Sequence, residues 1–238
     1  YSTNGQDSHI AVGNQSPIEI TLPTADRMEF VVQDFGLGMS VDDLRNTYSM
    51  YGASTKRDSN AYVGSLGLGC KSGLSYAEAF TVTAVKGGVK TVAIVTRDEH
   101  GLGTIKVLDT VGSDAPNGVR ITIPVGRYDV NKFREEATNL FQFWEPGTIL
   151  IDGEPPAEPS WLATSLLLDE DTRIVTKDSG LYSSYVVMQN VAYPVPDAQC
   201  GRVSRRFVAR LNIGDVDHAP SREAIKHTRH TDATLADL

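Results

Sequence analysis

The stretch Asp34-Phe35-Gly36-Leu37-Gly38 sets one carboxylate beside two closely spaced glycines. A carboxylate at a strand end can accept a hydrogen bond from an exocyclic amino group such as that of adenine, and glycines beside it let a ligand approach the backbone. Alone the motif is weak, because a strand ending in an acidic glycine turn is also an ordinary way to redirect a chain. A second glycine-rich run, Gly64-Ser65-Leu66-Gly67-Leu68-Gly69, precedes Lys71 and Ser72. Successive amides there can form an anion-binding nest leading to a helix start, which suits phosphate; a plain flexible turn is the alternative. Ser54, Thr55 and Lys56 lie between the two runs and offer hydroxyls and an ammonium to phosphate oxygens, although the same residues suit a solvated loop. Near the start, Asn4 offers an amide oxygen suited to Mg²⁺, and Asp7, three residues on, shares its helical face. Asn117-Gly118 opens a late strand.

These pieces need a scaffold, and the surrounding pattern supplies one. Ile18–Leu22 alternates apolar and polar residues, and Glu29–Gln33 follows across the turn-prone Pro23–Asp26, which predicts a hairpin running into Asp34. Ser40 then reads as a helix N-cap with Asp42 and Asp43 in the first turn. Tyr48–Gly73 is long and rich in Gly, Ser and Asn, as expected of a functional lid. Strands are expected at Phe80–Val85, Val89–Thr96, Gly103–Leu108 and Gly118–Pro124, giving an α+β fold with an antiparallel sheet covered by helices on one face. A domain change is expected near residue 127, followed by a helix over Val130–Phe143. After it come Thr148–Gly153, single longer strands at Tyr185–Val195 and Arg206–Ile213, and a polar helical tail from Pro220.

In their order along the chain, Asn4 and Asp7, the Asp34–Gly38 turn, Gly64–Gly69 and Gly118 make residues 1–126 resemble the GHKL superfamily, named for gyrase, heat-shock chaperone, histidine kinase and MutL. The resemblance implies a Bergerat-type α/β sandwich that binds ATP with Mg²⁺. It implies that Asn4 holds the metal and that Asp7 belongs to the same helix. Asp34 with Gly36, Gly38, Met39 and Gly118 would surround the base, while Ser54, Thr55, Lys56, Gly64, Leu66, Gly67, Leu68 and Gly69 would enclose the phosphates. Residues 127–238 are similar to the smaller transducer domain that follows the pocket in gyrase and MutL. There a basic residue reaches the γ-phosphate; Arg222 and Lys226 are the candidates here, and a solvated charged helix start is the plainer reading of both. Pro220-Ser221-Arg222-Glu223, with Ser2–Gly5 and the acidic turn, also resembles the rIIA-like proteins of tailed bacteriophages.

Two departures from the family pattern stand out: Val119 occupies a position often held by threonine, and Gly5 is expected to interrupt the helix carrying Asn4. Hydrolysing members also carry a glutamate four residues before the asparagine, a position immediately before Tyr1. The polar opening without a methionine looks cut from inside an element, so the chain reads as a fragment that binds nucleotide and hydrolyses it poorly. Two functions are therefore weighed: an ATPase whose nucleotide drives lid closure and dimerisation, and a nucleotide-binding or structural interaction module. A histidine-kinase catalytic domain is disfavoured by the second domain that follows.

Other chemistries fit less well. Asp34-Phe35-Gly36 has no HRD-type loop before it, as a protein kinase requires, and no GxSxG elbow supports a serine hydrolase. His9, His100, His218, His227 and His230 have no metal-ligand spacing, and Cys70 and Cys200 form no cluster. The net charge of −8 over 238 residues argues against a surface built wholly to grip nucleic acid. No apolar run approaches the roughly 18 to 20 residues of a membrane-spanning helix, so a cytosolic protein is expected, in a host bacterium if viral.

Overall fold

The structure is a computed structural model that describes residues 1–49, 69–175, 179–196, 206–218 and 224–237. It divides into two compact units, one of Tyr1–Asn139 with Glu145–Pro156, the other of Leu140–Trp144 with Ala157–Leu238.

The first unit is built on helix α1 (Ser2–Val12), strands β1 (Ile18–Thr21) and β2 (Glu29–Gln33), and helix α2 (Val41–Ser49). A short 3₁₀ helix (Gly69–Ser75) leads into β3 (Ala79–Lys86), β4 (Val89–Arg97), β5 (Gly103–Gly112) and β6 (Gly118–Pro124). Helix α3 (Val130–Phe141) and β7 (Ile149–Ile151) follow. The strands form one seven-stranded sheet in the order β5-β4-β3-β6-β2-β1-β7, antiparallel except where β7 runs parallel to β1. Alternation decides which side chains enter the core: Phe80, Val82 and Ala84 of β3, Val95 of β4 and Ile121 and Ile123 of β6 pack with Leu44 of α2 and Leu74. Helix α2 starts as its sequence predicts. The Ser40 hydroxyl accepts the Asp43 N–H at 3.1 Å, and the Asp43 carboxylate accepts the Ser40 N–H at 2.9 Å, a reciprocal cap.

Past residue 127 the first compact unit continues. Phe133 on α3 lies 5.4 Å from Phe30 and 5.1 Å from Tyr76, and β7 adds the last strand of the sheet. Three apolar residues, Ile149–Ile151, are too short a run for sequence to say which sheet they join.

The second unit adds helix α4 (Ser160–Ala163), β8 (Leu166–Leu167), β9 (Thr172–Val175), β10 (Ser184–Met188), β11 (Val191–Val195), β12 (Arg206–Arg210) and helix α5 (Arg229–Asp237). Its sheet runs β11-β10-β12-β9-β8. Val186 and Met188 point into one cluster with Phe207, Val216 and Leu235, while Val187 points into another with Phe143, Trp161 and Val208. Both faces of the central strands are therefore covered. The expected single strand Tyr185–Val195 is instead a hairpin, with Met188 paired to Val191 across a two-residue turn. Gln189 and Asn190 both adopt positive φ, 46° and 66°, as a tight hairpin turn requires. The signal was hidden because glutamine is an unusual residue for that conformation.

Candidate functional site

Asp34 leaves the end of β2 between β6 and α1. Its N–H donates to the Val119 carbonyl of β6 at 2.9 Å, and its side chain is buried, 8 % exposed. Its carboxylate Oδ1 accepts the Gly36 N–H at 3.0 Å. Val119 thus fixes the carboxylate-bearing residue through its backbone, a contact that needs no threonine.

The glycines are required by close approach. A Cβ on Gly38, where φ is 64°, would lie 1.8 Å from the Val85 carbonyl oxygen, and one on Gly36 would lie 2.2 Å from Ser8 Oγ. A Cβ on Gly118 would lie 2.1 Å from the Asp34 carbonyl oxygen. No side chain fits at any of the three, because the turn is wedged between α1 on one side and β3 and β6 on the other. Beside the ligand access expected of these glycines stands a packing reason.

Gly5 does not interrupt α1. The helix runs from Ser2 to Val12, and the Gly5 N–H donates to the Tyr1 carbonyl at 2.9 Å. A Cβ at Gly5 would meet Asp34 Cβ at 3.0 Å and Ile18 Cδ1 at 3.3 Å, so the glycine lets the helix close against the acidic residue. That proximity offsets the roughly 1 kcal/mol by which glycine weakens a helix interior. Asp7 is fully buried, Asn4 is half-buried, and Asn4 stands one turn before Ser8, on the face that meets the turn.

Four residues that the motif analysis did not select hold the turn. The Phe35 N–H donates to His9 Nε2 at 2.7 Å, Asn14 Nδ2 donates to the Phe35 carbonyl at 2.7 Å, and the Leu37 N–H donates to Ser8 Oγ at 2.8 Å. Gln33 Nε2 donates to the Asp34 carbonyl at 2.8 Å. The N–H groups of residues 35, 36 and 37 are thus each taken by a side chain: His9, Asp34 and Ser8. The turn keeps none of these three donors for a phosphate and instead presents the Asp34 side chain from a fixed backbone. His9 Nδ1 faces the Ser16 carbonyl at 3.0 Å; with Nε2 accepting, the imidazole is neutral and protonated at Nδ1. Burial lowers its pKa below the ordinary 6.5, partly opposed by the Ser16 carbonyl. No local sequence pattern marks this role: His9 lies within α1 and Asn14 just beyond its end.

The structure gathers Asn4, Asp7, Asp34, Gly36, Gly38 and Gly118 around one helix and one turn, with Met39 packed partly into the sheet core. Ser54, Thr55, Lys56, Gly64, Leu66, Gly67, Leu68 and Arg222 lie outside the described residues. Gly69 begins the 3₁₀ helix. Farther along that helix, the Gly73 N–H donates to the Tyr1 hydroxyl at 2.8 Å, and the Tyr1 ring meets Phe80 at 5.9 Å, so this end of the expected lid is tied to the start of α1. Lys226 belongs to the second unit; its N–H donates to the Asp217 carbonyl at 2.7 Å and its side chain is exposed.

Comparison with known proteins agrees with this geometry. A protein-family profile described as "Histidine kinase-, DNA gyrase B-, and HSP90-like ATPase" matches residues 4–115. Among solved structures, the ATPase region of Saccharomyces cerevisiae topoisomerase II is similar with a TM-score of 0.63 at 10 % identity, over 98 % of this chain and 77 % of that one. No curated protein matches significantly in sequence. The profile match covers most of α1, the acidic turn and β1 to β5, ends just before β6, and marks residues 4–115 as a GHKL-type ATPase domain.

Proposed function

We propose that this chain binds Mg²⁺-ATP with the adenine amino group on the Asp34 carboxylate, and that bound nucleotide closes the segment Tyr48–Gly73. The observation that carries the reading is the turn itself: a buried carboxylate on a backbone held at successive peptides by β6 and α1. A group held this way is suited to reading one donor with little reorganisation. The donor set also fits the metal, since Mg²⁺ takes hard oxygen ligands and keeps few protein ones, which Asn4 Oδ1 and phosphate oxygens would supply. Bound there, Mg²⁺ would neutralise phosphate charge. Ser54, Thr55, Lys56 and the Gly64–Gly69 run are assigned to the phosphates, and Arg222 or Lys226 to the γ-phosphate. The nucleotide part is taken as 1–126 and the transducer-like part as 127–238, a division drawn from the resemblance rather than from compactness.

Closure is proposed to change how two copies, or the two parts of one copy, pack. Among the described residues no helix is long and apolar enough to cross a membrane, and a cytoplasmic setting is proposed with that in mind. The bacteriophage rIIA-like assignment is proposed on the same terms.

A specific observation favours binding with slow turnover. The proposed adenine role commits Asp34 to the base end of the nucleotide, away from a water attacking the γ-phosphate, and Asp7 is fully buried. Titration calorimetry with a non-hydrolysable ATP analogue should show saturable, Mg²⁺-dependent binding, and limited proteolysis within 48–73 should slow when both are present. Equal cleavage with and without Mg²⁺-nucleotide would end the closure idea, and no heat of binding would end the ATP reading.

A further inference from the structure

We infer that His9 and Asn14 form a positioning bracket that sets purine selectivity, a role that rests on the adenine reading of Asp34. Their side chains seize opposite ends of Phe35: His9 Nε2 accepts its N–H at 2.7 Å and Asn14 Nδ2 donates to its carbonyl at 2.7 Å. The two peptides so held are the ones that flank Phe35, the residue directly after Asp34. On the first, the carbonyl is held by Gln33 and the N–H by His9; on the second, the carbonyl is held by Asn14 and the N–H by Asp34 itself. Rotation of either peptide about the chain would break one of these bonds, and rotation of the second would turn the carboxylate that bonds to its N–H.

The bracket is itself anchored. Asn14 Oδ1 accepts the Ser16 N–H at 2.9 Å, and His9 Nδ1 donates to the Ser16 carbonyl at 3.0 Å, so both side chains brace against one residue just beyond α1. The His9 ring also lies 6.4 Å from the Phe35 ring and is 4 % exposed.

Selectivity follows from the direction of the bond at Asp34. A carboxylate fixed in one orientation accepts from the adenine amino group and repels the guanine carbonyl at the same position. A carboxylate free to turn aside loses the first interaction and relieves the second. The bracket therefore acts on the difference between two purines, whereas a general loss of stability would weaken both alike.

The test uses the full chain and two probes, non-hydrolysable analogues of ATP and of GTP, titrated with Mg²⁺. His9→Phe keeps the ring volume and removes the acceptor. It is expected to reduce the ATP-over-GTP preference by about tenfold, in line with one buried donor left without its partner. His9→Gln, which restores an acceptor near the Nε2 position, should recover most of that preference. An unchanged preference in a folded His9→Phe overturns the inference while leaving ATP binding intact; absence of ATP binding by the parent chain overturns the functional reading instead. If thermal melting shows His9→Phe unfolded, Asn14→Ala opens the bracket from its other end, with the same preference loss expected and the same null result fatal.

Discussion

Both units bury hydroxyls, but the first also buries carboxylates and a histidine. Among the described residues, the buried ionisable side chains of the first unit are Asp7, His9 and Asp34, all on α1 or the turn beside it. The second unit buries the hydroxyls of Thr172, Ser179, Ser184 and Thr231 and the amide of Asn190. Neutral hydroxyls and amides cost little to bury once hydrogen-bonded, whereas carboxylates cost several kcal/mol each unless held by bonds to the charged form. Among the described residues, the first unit concentrates that cost at one spot, and the second avoids it. Such a concentration is what the proposed nucleotide site would require.

Gly38→Ala forces a Cβ against the Val85 carbonyl at positive φ. It should cost about 3 to 5 kcal/mol in urea denaturation and abolish analogue binding. Ser184→Ala removes the hydroxyl that accepts the Phe207 N–H at 3.2 Å. It should cost about 1 to 3 kcal/mol and leave analogue affinity unchanged, since a hydroxyl buried in the second unit serves packing alone.

Acid should strike the first unit through His9. Its folded pKa is lowered, so the neutral ring stabilises the fold fully above the ordinary value of 6.5, and that contribution is lost as pH falls from there through the lowered folded value. Urea midpoints measured downward from pH 7.5 should therefore decline below about 6.5 in the parent and decline less in His9→Phe. The smallest effect belongs to Lys86. Its ammonium lies 2.7 Å from the Asp43 carboxylate, whose pKa is lowered to about 2, chiefly by that bond. The contribution is present above the usual carboxylate value and lost as pH falls toward 2. Both side chains are nearly half exposed, 42 % and 43 %, so Lys86→Met should cost less than about 1 kcal/mol.

Much of the first unit was legible because its signals are periodic and local. The alternation of Ile18, Ile20, Phe80 and Val82 shows directly which residues face the core, and Ser40 with Asp43 announces a helix start. The turn was legible as a motif, but the reason for its glycines was not, since Ser8, Val85 and Asp34 approach them from distant parts of the chain. His9 and Asn14 were missed for the same reason: a helix residue that braces a turn some twenty or more positions away carries no local periodicity. In the second unit, β10 and β11 read as one strand because the turn between them uses Gln189 and Asn190 rather than glycine. The three-residue β7 carried too little pattern to announce its parallel partner β1.

Proposed adenine recognition rests on the Asp34 carboxylate, and calorimetric titration of a Mg²⁺-ATP analogue into the parent chain and Asp34→Asn tests it. Asparagine keeps the shape and an oxygen for the Gly36 N–H but turns a donor toward the adenine amino group, so affinity should fall by roughly 10- to 150-fold with the thermal melting profile retained. Equal affinity in the two folded chains would contradict the account, because the base would then be read somewhere other than the turn that α1 and β6 hold in place.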